Sequence, residues 1–514
     1  MTTALLRLKS HLAGWREWEL NPVVIKELRQ AVRSWTVTGV LLLFLTVLFI
    51  ASLGFLVSQS FEGDVNEQLG STMFGTFVTI LAGASILFIP LYIGIRITTE
   101  RQESNPDLLY VSTLTPGQII RGKFLCGAYI TVLFFSACMP FMAFTNLLRG
   151  VDLPSVFFIL FALFLVVCAL NQVAIFLACL PLSRPFKILI ALYGFFQSFW
   201  IIVPLVFGAI TMMHSGIGTM MAGRNFWIAT TTVVGIGLAV VGLLYFLSVA
   251  LISPPSANRA LPLRVYITII WLLGGLLNLG WVWRIKDVRL MFVWTYLTFA
   301  LMMFALLVSV SNSDHLSRRV SRRIPRSWAG RIPAFILFNG AAGGLVWVAL
   351  ILALTYGVTR GVMALDGTWF PKTAGLAAED KHWFVATTAY AFAYALMGLF
   401  IHRWFLPARP AKFAGLLAVL LMGVWAIAPS IVLFFLNRLS WKAVEDLQLG
   451  NIFNVFYLRD DEHRYYHTWF ALAWLVVMIL INVKWFWTQV KNFRPPPLHE
   501  PPIIADIPPV ISTK

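Results

Sequence analysis

The chain has 514 residues, of which 59% are hydrophobic and 12% are charged. Soluble domains contain about 45–50% apolar and about 25% charged residues, so this composition excludes a soluble globular protein and indicates an integral membrane protein. The formal net charge is +17, but the Lys and Arg residues stand mainly in loops next to apolar segments. That distribution is typical of membrane topology and argues against a nucleic acid partner.

Twelve apolar segments recur along the chain. Each is long enough to cross a hydrocarbon core of about 30 Å as an α-helix. We therefore predict an all-α, polytopic membrane protein of about 12 transmembrane helices, preceded by an N-terminal interfacial helix. The predicted spans cover residues 36–57, 73–95, 124–146, 155–182, 188–212, 226–252, 265–283, 290–310, 334–357, 383–401, 413–436 and 468–490.

Changes in composition predict five regions. The clearest boundary is the proline-rich stretch SPPSANRALPLR at residues 253–264. Loop charges place both termini in the cytoplasm, although Arg284, Lys286 and Arg289 fall on the predicted outside and disagree. The regions are a cytoplasmic segment with the interfacial helix (1–35), a six-span module (36–262), two further spans with a basic cytoplasmic loop (263–333), a four-span module with two outside loops (334–490) and a disordered Pro-rich tail (491–514).

An amphipathic helix is predicted just before the first span. Asn21 and Pro22 suit the N-cap and first positions of this helix. It would lie in the cytoplasmic membrane interface with its cations at the lipid headgroups, and an ordinary cytosolic segment is the alternative. The apolar face would hold Val24, Leu28, Ala31 and Trp35, and the polar face Lys26, Arg29, Gln30 and Arg33.

A polar island separates the second and third spans and has the sequence TTERQESNPDLLYVSTLTPGQIIRGK, residues 98–123. It begins with charge at Glu100 and Arg101. Leu108 and Leu109 then predict a short amphipathic helix, which residues 114–117 would end because proline lacks an amide hydrogen and glycine is flexible. Such a loop is able to contact something outside the membrane.

The predicted spans contain almost no ionisable chemistry. No Asp, Glu, Lys, Arg or His stands in the interiors of the first eleven, and the twelfth holds only Lys484, near its end. Ion-coupled transporters and membrane-embedded enzymes commonly need such groups, so both are disfavoured. The chain also lacks a GxxxxGK[ST] phosphate loop, so ATP hydrolysis of that kind is not predicted. No catalytic residue is predicted.

Uncharged polar residues and glycines inside the spans are interpreted as packing features. Five polar residues could line a path or bond between helices, and interhelical hydrogen bonds are the default expectation. Gly340, Gly343 and Gly344 have a spacing that suits close helix contact. The five polar residues are Asn171, Gln172, Gln197, Asn278 and Asn339.

The stretch RDDEHRYYH, residues 459–467, is the one metal-like cluster of the sequence. His463 and His467 are four residues apart, a spacing that would put both imidazoles on one helical face, as zinc sites require. A solvated loop is the interpretation that we favour, so no metal site is predicted.

Two stretches together resemble the type-2 ATP-binding-cassette (ABC) permease family. They are NPVVIKELRQA at residues 21–31 and ERQESNPDLLYVSTLTPGQIIRGK at residues 100–123. The resemblance covers roughly residues 15–262, and the second half of the chain repeats neither motif. Where many members have Gly-Thr, this chain has Ser104 and Asn105 followed by Pro106.

The resemblance implies roles for particular residues. Lys26, Glu27, Leu28 and Arg29 would match the Lys-Glu-Leu-Arg element of the interfacial helix. A cytoplasmic coupling helix would seat in a separate ATPase, and Lys123 would belong to the Gly-Lys pair that opens the third span. The coupling residues would be Glu100, Arg101, Asp107, Leu108, Leu109, Leu114, Thr115 and Pro116.

The resemblance also implies a function, namely the permease subunit of an ATP-driven exporter in a bacterial plasma (inner) membrane, not itself an enzyme. The chain carries one coupling surface, so a second permease chain and separate ATPase subunits are expected partners. ATP and magnesium would belong to the ATPase, and this chain would hold no cofactor.

Membrane lipid is a further expected partner, because a loop with six arginines between the eighth and ninth spans suits anionic headgroups; a topology signal alone is the other interpretation. Two other functions stay open. The chain could be a membrane scaffold that moves no substrate, or, less favoured, a lipid-modifying enzyme that uses His463 and His467.

Overall fold

The computed structural model describes residues 22–62, 69–103, 115–148, 151–214, 221, 223–314, 316–365, 380–436, 448–457 and 461–496. Within these ranges the secondary structure is α-helical, without a strand. The chain forms two compact units, Met1–Pro254 and Pro255–Lys514. The division between them falls inside the proline-rich stretch at residues 253–264.

Unit 1 contains an amphipathic helix followed by long apolar helices. The apolar helices exceed the length that a bilayer core requires. They are α1 (Pro22–Val32), α2 (Trp35–Glu62), α3 (Leu69–Glu103), α4 (Pro116–Leu147), α5 (Leu153–Cys179), α6 (Arg184–His214) and α7 (Arg224–Ile252).

Unit 2 combines further long helices with three short ones. They are α8 (Ala260–Ile285), α9 (Leu290–Val310), α10 (Arg318–Ser321), α11 (Trp328–Leu337), α12 (Ala341–Met363), α13 (Asp380–Phe405), α14 (Lys412–Leu436), α15 (Asn454–Tyr457) and α16 (Asp461–Asn492).

The protein is a multi-pass integral membrane protein. In the described residues, 12 helices are long and apolar enough to cross a membrane. The predicted all-α, polytopic fold is thereby confirmed. The 12 are α2 to α9, α12, α13, α14 and α16.

Several helices extend beyond the predicted spans. The predicted second span ends at residue 95, whereas α3 continues to Glu103, and α4 begins at Pro116 rather than at residue 124. Hydropathy marks only the apolar part of a helix, while backbone hydrogen bonding continues past it. The extensions of α3, α4 and α8 beyond the predicted charge-free spans bring Arg96, Lys123 and Arg264 respectively into these helices.

The core of unit 1 is organised around α3. This helix packs against α2, α4, α5 and α6. Phe74, Phe77 and Leu81 are completely buried there. Helix α4 approaches closely at Gly127, where a Cβ atom would lie 2.4 Å from Ile93 Cδ1 and 3.1 Å from Asn171 Nδ2, so a larger residue would have to displace the Ile93 side chain.

Interhelical hydrogen bonds are confirmed at three of the predicted positions. Asn171 of α5 donates to Thr131 Oγ1 of α4 at 3.4 Å, and Gln172 donates to Ser248 Oγ of α7 at 3.4 Å. In unit 2, Asn278 Nδ2 of α8 donates to the Leu290 carbonyl of α9 at 3.1 Å. These bonds give buried amides a partner inside the apolar core. Gln197 instead lies exposed on α6.

The predicted ninth span, residues 334–357, is wrong as a single helix. The chain leaves α11 at Phe338, and Gly340 has φ 139°, a conformation that favours glycine. Asn339 therefore lies between helices and not inside a span, and its Oδ1 accepts from the Ala260 amide at 2.7 Å. Helix α12 then starts beside α11, where a Cβ atom on Gly343 would lie 1.9 Å from the Phe335 carbonyl oxygen.

A buried arginine stabilises this break. Arg264 of α8 is 3% exposed, and its guanidinium donates to the carbonyls of Ile336 at 2.8 Å, Phe338 at 2.6 Å and Gly340 at 3.1 Å. The last carbonyls of a helix have no partner within it. Arg264 therefore supplies from α8 the donors that the end of α11 lacks.

We predict that Arg264→Met destabilises the protein by about 3 kcal/mol, because each buried carbonyl left without a donor costs about 1–3 kcal/mol. The thermal unfolding midpoint of the purified protein in detergent measures the effect. Arg322→Gln, at an exposed arginine of the same unit, is the matched control and should leave the midpoint unchanged. Equal midpoints for the two variants would contradict the role given to Arg264.

Candidate functional site

Four ionisable side chains from three helices of unit 1 meet in one cluster. Helix α1 contributes Glu27, the last two turns of α3 contribute Arg96 and Glu100, and the start of α4 contributes Lys123. We name these four residues the charge cluster. It unites the two stretches of sequence, before the first span and around the polar island, that were singled out above.

The Lys123 ammonium is shared between two carboxylates. Its Nζ lies 2.9 Å from Glu27 Oε1 and 2.5 Å from Glu100 Oε2. On the other side of Glu27, Arg96 Nε donates to Oε2 at 3.0 Å, and it lies 3.9 Å from Glu100 Oε1. Each carboxylate thus lies within ion-pair distance of both cations.

Glu27 lies in the buried stripe of α1. Val24, Glu27 and Ala31 follow the three- and four-residue spacing of one helical face, and their exposed fractions are 0%, 4% and 1%. A carboxylate in an apolar stripe loses its hydration, so it requires charged partners. Trp35, predicted for this face, instead begins α2 and is 83% exposed.

The charges around Glu27 keep it ionised. Burial alone raises the pKa of its carboxyl group, but the positive charge and hydrogen bond of Lys123, followed by the charges of Arg96 and Lys26, outweigh burial. The pKa of Glu27 consequently lies below its ordinary value of 4.5. With two acids and two bases, the charge cluster is formally neutral, which limits the cost of placing it among apolar helices.

The start of α4 is fixed by a local cap. Thr115 Oγ1 accepts from the Gln118 amide at 3.3 Å, while Gln118 Oε1 accepts from the Thr115 amide at 2.8 Å. This reciprocal capping box, with Pro116 in the first turn, defines where the helix begins. Tyr245 of α7 adds a contact, because its hydroxyl donates to the Gly117 carbonyl at 3.3 Å.

The structure brings together three of the residues expected from the sequence, Glu27, Glu100 and Lys123. Lys26 and Arg29 lie exposed on α1, and Leu28 is half-buried. Thr115 and Pro116 form the cap of α4. Arg101 belongs to α3, but its side chain is outside the described part, and Asp107, Leu108, Leu109 and Leu114 lie outside the described residues.

Arg96 is the functional candidate that the sequence analysis missed. Its guanidinium bridges both carboxylates, donates to the Tyr92 hydroxyl at 3.0 Å and donates to Gln30 Oε1. The signal was its spacing of four residues from Glu100, which puts both on one face of a helix. The predicted second span ends at residue 95 and the polar island begins at residue 98, so Arg96 falls in neither feature.

The histidine cluster differs from the solvated loop that was expected. His463 and His467 lie on α16, and His467 is fully buried. The two ring nitrogens of His467 lie 3.0 Å from the Tyr390 hydroxyl and 3.0 Å from Asn454 Oδ1. In the part of the chain that is described, no group of three His, Cys, Asp or Glu residues is placed to hold a metal ion.

Comparison with known proteins gives no match to a protein-family model, to a curated protein or to a solved structure. The physical evidence on function is therefore the charge cluster and the polar segment whose two flanking helices it joins.

We predict that Lys123→Met lowers the free energy of unfolding by about 3 kcal/mol. Breaking a buried ion pair costs about 3–5 kcal/mol, and the lower end applies because Arg96 still contacts Glu27. Arg29→Met, at an exposed arginine of α1 whose charge does not act on Glu27, should change stability by less than about 0.5 kcal/mol. Denaturant unfolding of both variants in the same detergent measures the difference, and equal losses would refute the buried pairing.

The pH dependence of the protein's stability should reflect the titration of Glu27. Its lowered pKa means that its ion pairs stabilise the protein above pH 4.5 and are lost as the pH falls through the folded-state value. The unfolding midpoint of wild type should therefore exceed that of Glu27→Gln by a constant amount from neutral pH down to about pH 5. Below pH 4.5 the gap should shrink. A gap that is independent of pH would show that Glu27 does not titrate with folding.

Proposed function

We propose that the chain is the permease subunit of an ATP-driven ABC exporter in a bacterial plasma membrane, with both termini in the cytoplasm. The observation that carries the proposal is the charge cluster. It ties both helices that flank residues 104–114, α3 and α4, to the amphipathic helix α1. A segment held in this way at both ends can pass a displacement to the membrane-spanning helices.

The proposed input is a separate ATPase that docks on residues 104–114. Leu108 and Leu109 supply the apolar contact, and Asp107, together with Glu100 and Arg101 at the end of α3 just before this segment, supplies charge. When ATP binding moves the ATPase subunits, the displacement reaches the ends of both α3 and α4, which are joined through Lys123 and Glu100. Helix α3 packs against α2, α4, α5 and α6, so the movement reaches most of unit 1.

Helix α1 is the element relative to which the ends of α3 and α4 move. Lys26 and Arg29 are exposed on the side away from the buried stripe and suit lipid headgroups. The inward face of α1 is bound to α3 and α4 through Glu27. Motion of α3 and α4 relative to the membrane surface therefore has to stretch, break or carry along the ion pairs of the charge cluster.

The partners follow from the number of docking segments. Each chain has one polar segment of this kind, and two ATPase subunits have to be engaged when they close on ATP. The assembly would thus contain two permease chains, identical or related, and two ATPase subunits that hold ATP and magnesium. The chain itself contributes no nucleotide site of the phosphate-loop type.

Co-purification tests the proposal. Tagged wild-type chain extracted from its native membrane should bring with it an ATPase that carries a phosphate-loop motif, and the double variant Leu108→Asp, Leu109→Asp should lose it, because charge in an apolar contact opposes docking. Leu182→Asp is the matched control, in another loop of unit 1 at an exposed leucine, and should retain the ATPase.

The outcomes separate the alternatives. Recovery of wild-type protein without any ATPase would overturn the proposal and favour the scaffold function. Equal recovery of ATPase with the Leu108 and Leu109 variant and with the Leu182 variant would show that the docking segment lies elsewhere.

A further inference from the structure

Unit 2 contains an elongated cavity between α12, α13 and α16. Its volume is about 470 Å³, within the range of about 300–1,000 Å³ that small-molecule sites occupy. The lining runs from Leu345 to Tyr356 on α12, from Phe384 to Leu396 on α13 and from Leu472 to Phe486 on α16. At about 1.5 Å per residue, these stretches are roughly 16–21 Å long.

The shape and chemistry of the cavity match a lipid tail. Its walls are mainly aliphatic and aromatic; of the polar side chains that line it, Asn482 and Trp485 stand near one end, and Tyr356 and Thr388 stand toward the other. Half of a hydrocarbon core is about 15 Å thick, so a single extended acyl chain has the length of the cavity. A polar ligand of the same size would leave most of its hydrogen-bonding groups unpaired against these walls.

One end of the cavity carries a cation. The guanidinium of Arg403, from the last turn of α13, lies 4.7 Å from the centre of the Trp485 ring and donates to Asn482 Oδ1. The Trp485 indole in turn donates to Asp314 Oδ2 at 2.9 Å. Both Asn482 and Trp485 line the cavity, so Arg403 contacts two residues of the lining at this end without itself being part of it.

The guanidinium retains capacity for a ligand. Arg403 is half-exposed, its Nε donates to the Leu399 carbonyl at 3.3 Å and one Nη donates to Asn482. Within the described residues, the other Nη has no hydrogen-bond partner. This remaining Nη is suited to a phosphate, since charge-assisted hydrogen bonds to phosphate oxygens are strong. The Asp314 carboxylate also acts on the charge of Arg403, so a phosphate there competes with an acidic side chain of the protein.

We propose that the cavity binds one acyl chain of an anionic phospholipid whose phosphate is held by Arg403. Bulk lipid tails are as apolar as the walls of the cavity, so the walls alone give little preference for the bound lipid over the surrounding bilayer. Selectivity therefore depends on the fit of one chain and on the charge of Arg403. The proposal rests on unit 2 alone and does not depend on transport.

Native mass spectrometry of the purified full-length chain tests the inference. The protein is equilibrated with phosphatidylglycerol and phosphatidylcholine of identical acyl chains, and the retained lipid is counted. Wild type should retain one phosphatidylglycerol with a preference of about fivefold, the effect expected of one arginine near an anionic headgroup. Equal retention of both lipids would overturn the role of Arg403.

Substitutions at Ala353 and Arg403 test the binding of the acyl chain and of the headgroup separately. Ala353→Trp fills the cavity from α12 and should abolish retention, while Ala473→Trp, at an exposed alanine of α16 outside the cavity lining, should leave it unchanged. Arg403→Gln should keep the lipid but lose the preference for phosphatidylglycerol. Equal unfolding midpoints for the two tryptophan variants verify folding, and equal lipid retention by them would overturn the proposed site.

Discussion

The ion pair between Glu27 and Lys123 is the contact on which the arrangement of unit 1 depends. A carboxylate that is 4% exposed persists as a charge only because Lys123 and Arg96 both reach it. Buried ion pairs add little net stability compared with apolar packing, but they strongly penalise arrangements in which one partner is missing. The pairing therefore specifies which face of α1 meets α3 and α4, and it does so across a separation of 96 residues in the chain.

In unit 2 a buried cation is stabilised by backbone carbonyls. Arg264 is buried at the start of α8 and uses its guanidinium to satisfy the carbonyls that end α11. In unit 1 the partners are carboxylates, and in unit 2 they are backbone groups. In both cases a cation near a helix end, beside an apolar run, connects segments that lie far apart in sequence. Positive charges of this kind thus have a structural role in addition to any effect on membrane orientation.

The spanning helices were predictable because hydropathy responds to the same transfer free energy that places a helix in a bilayer. Their ends were not predictable, since an end depends on partners distant in sequence. The capping of α4 by Thr115 and Gln118 is local, yet the polar residues between it and the apolar run masked the first turns of the helix. The break at Gly340 depends on Arg264, more than 70 residues away. Family resemblance pointed to Glu27, Glu100 and Lys123 separately, whereas their meeting with Arg96 required the fold.

The four members of the charge cluster differ in how exposed they are to water, and this difference affects how α3 and α4 can move relative to each other. Glu27 is 4% exposed and Glu100 is 33% exposed, while Lys123, 10% exposed, contacts both. Separating Lys123 from Glu27 would leave a charge in an apolar environment, whereas separating it from Glu100 releases a carboxylate that water can solvate. The pair with Glu100, next to residues 104–114, is thus the weaker connection. A force on that segment would loosen α3 from α4 at this point first, while the attachment of α1 to Lys123 persists, so the cluster permits relative motion of α3 and α4 without losing its anchor.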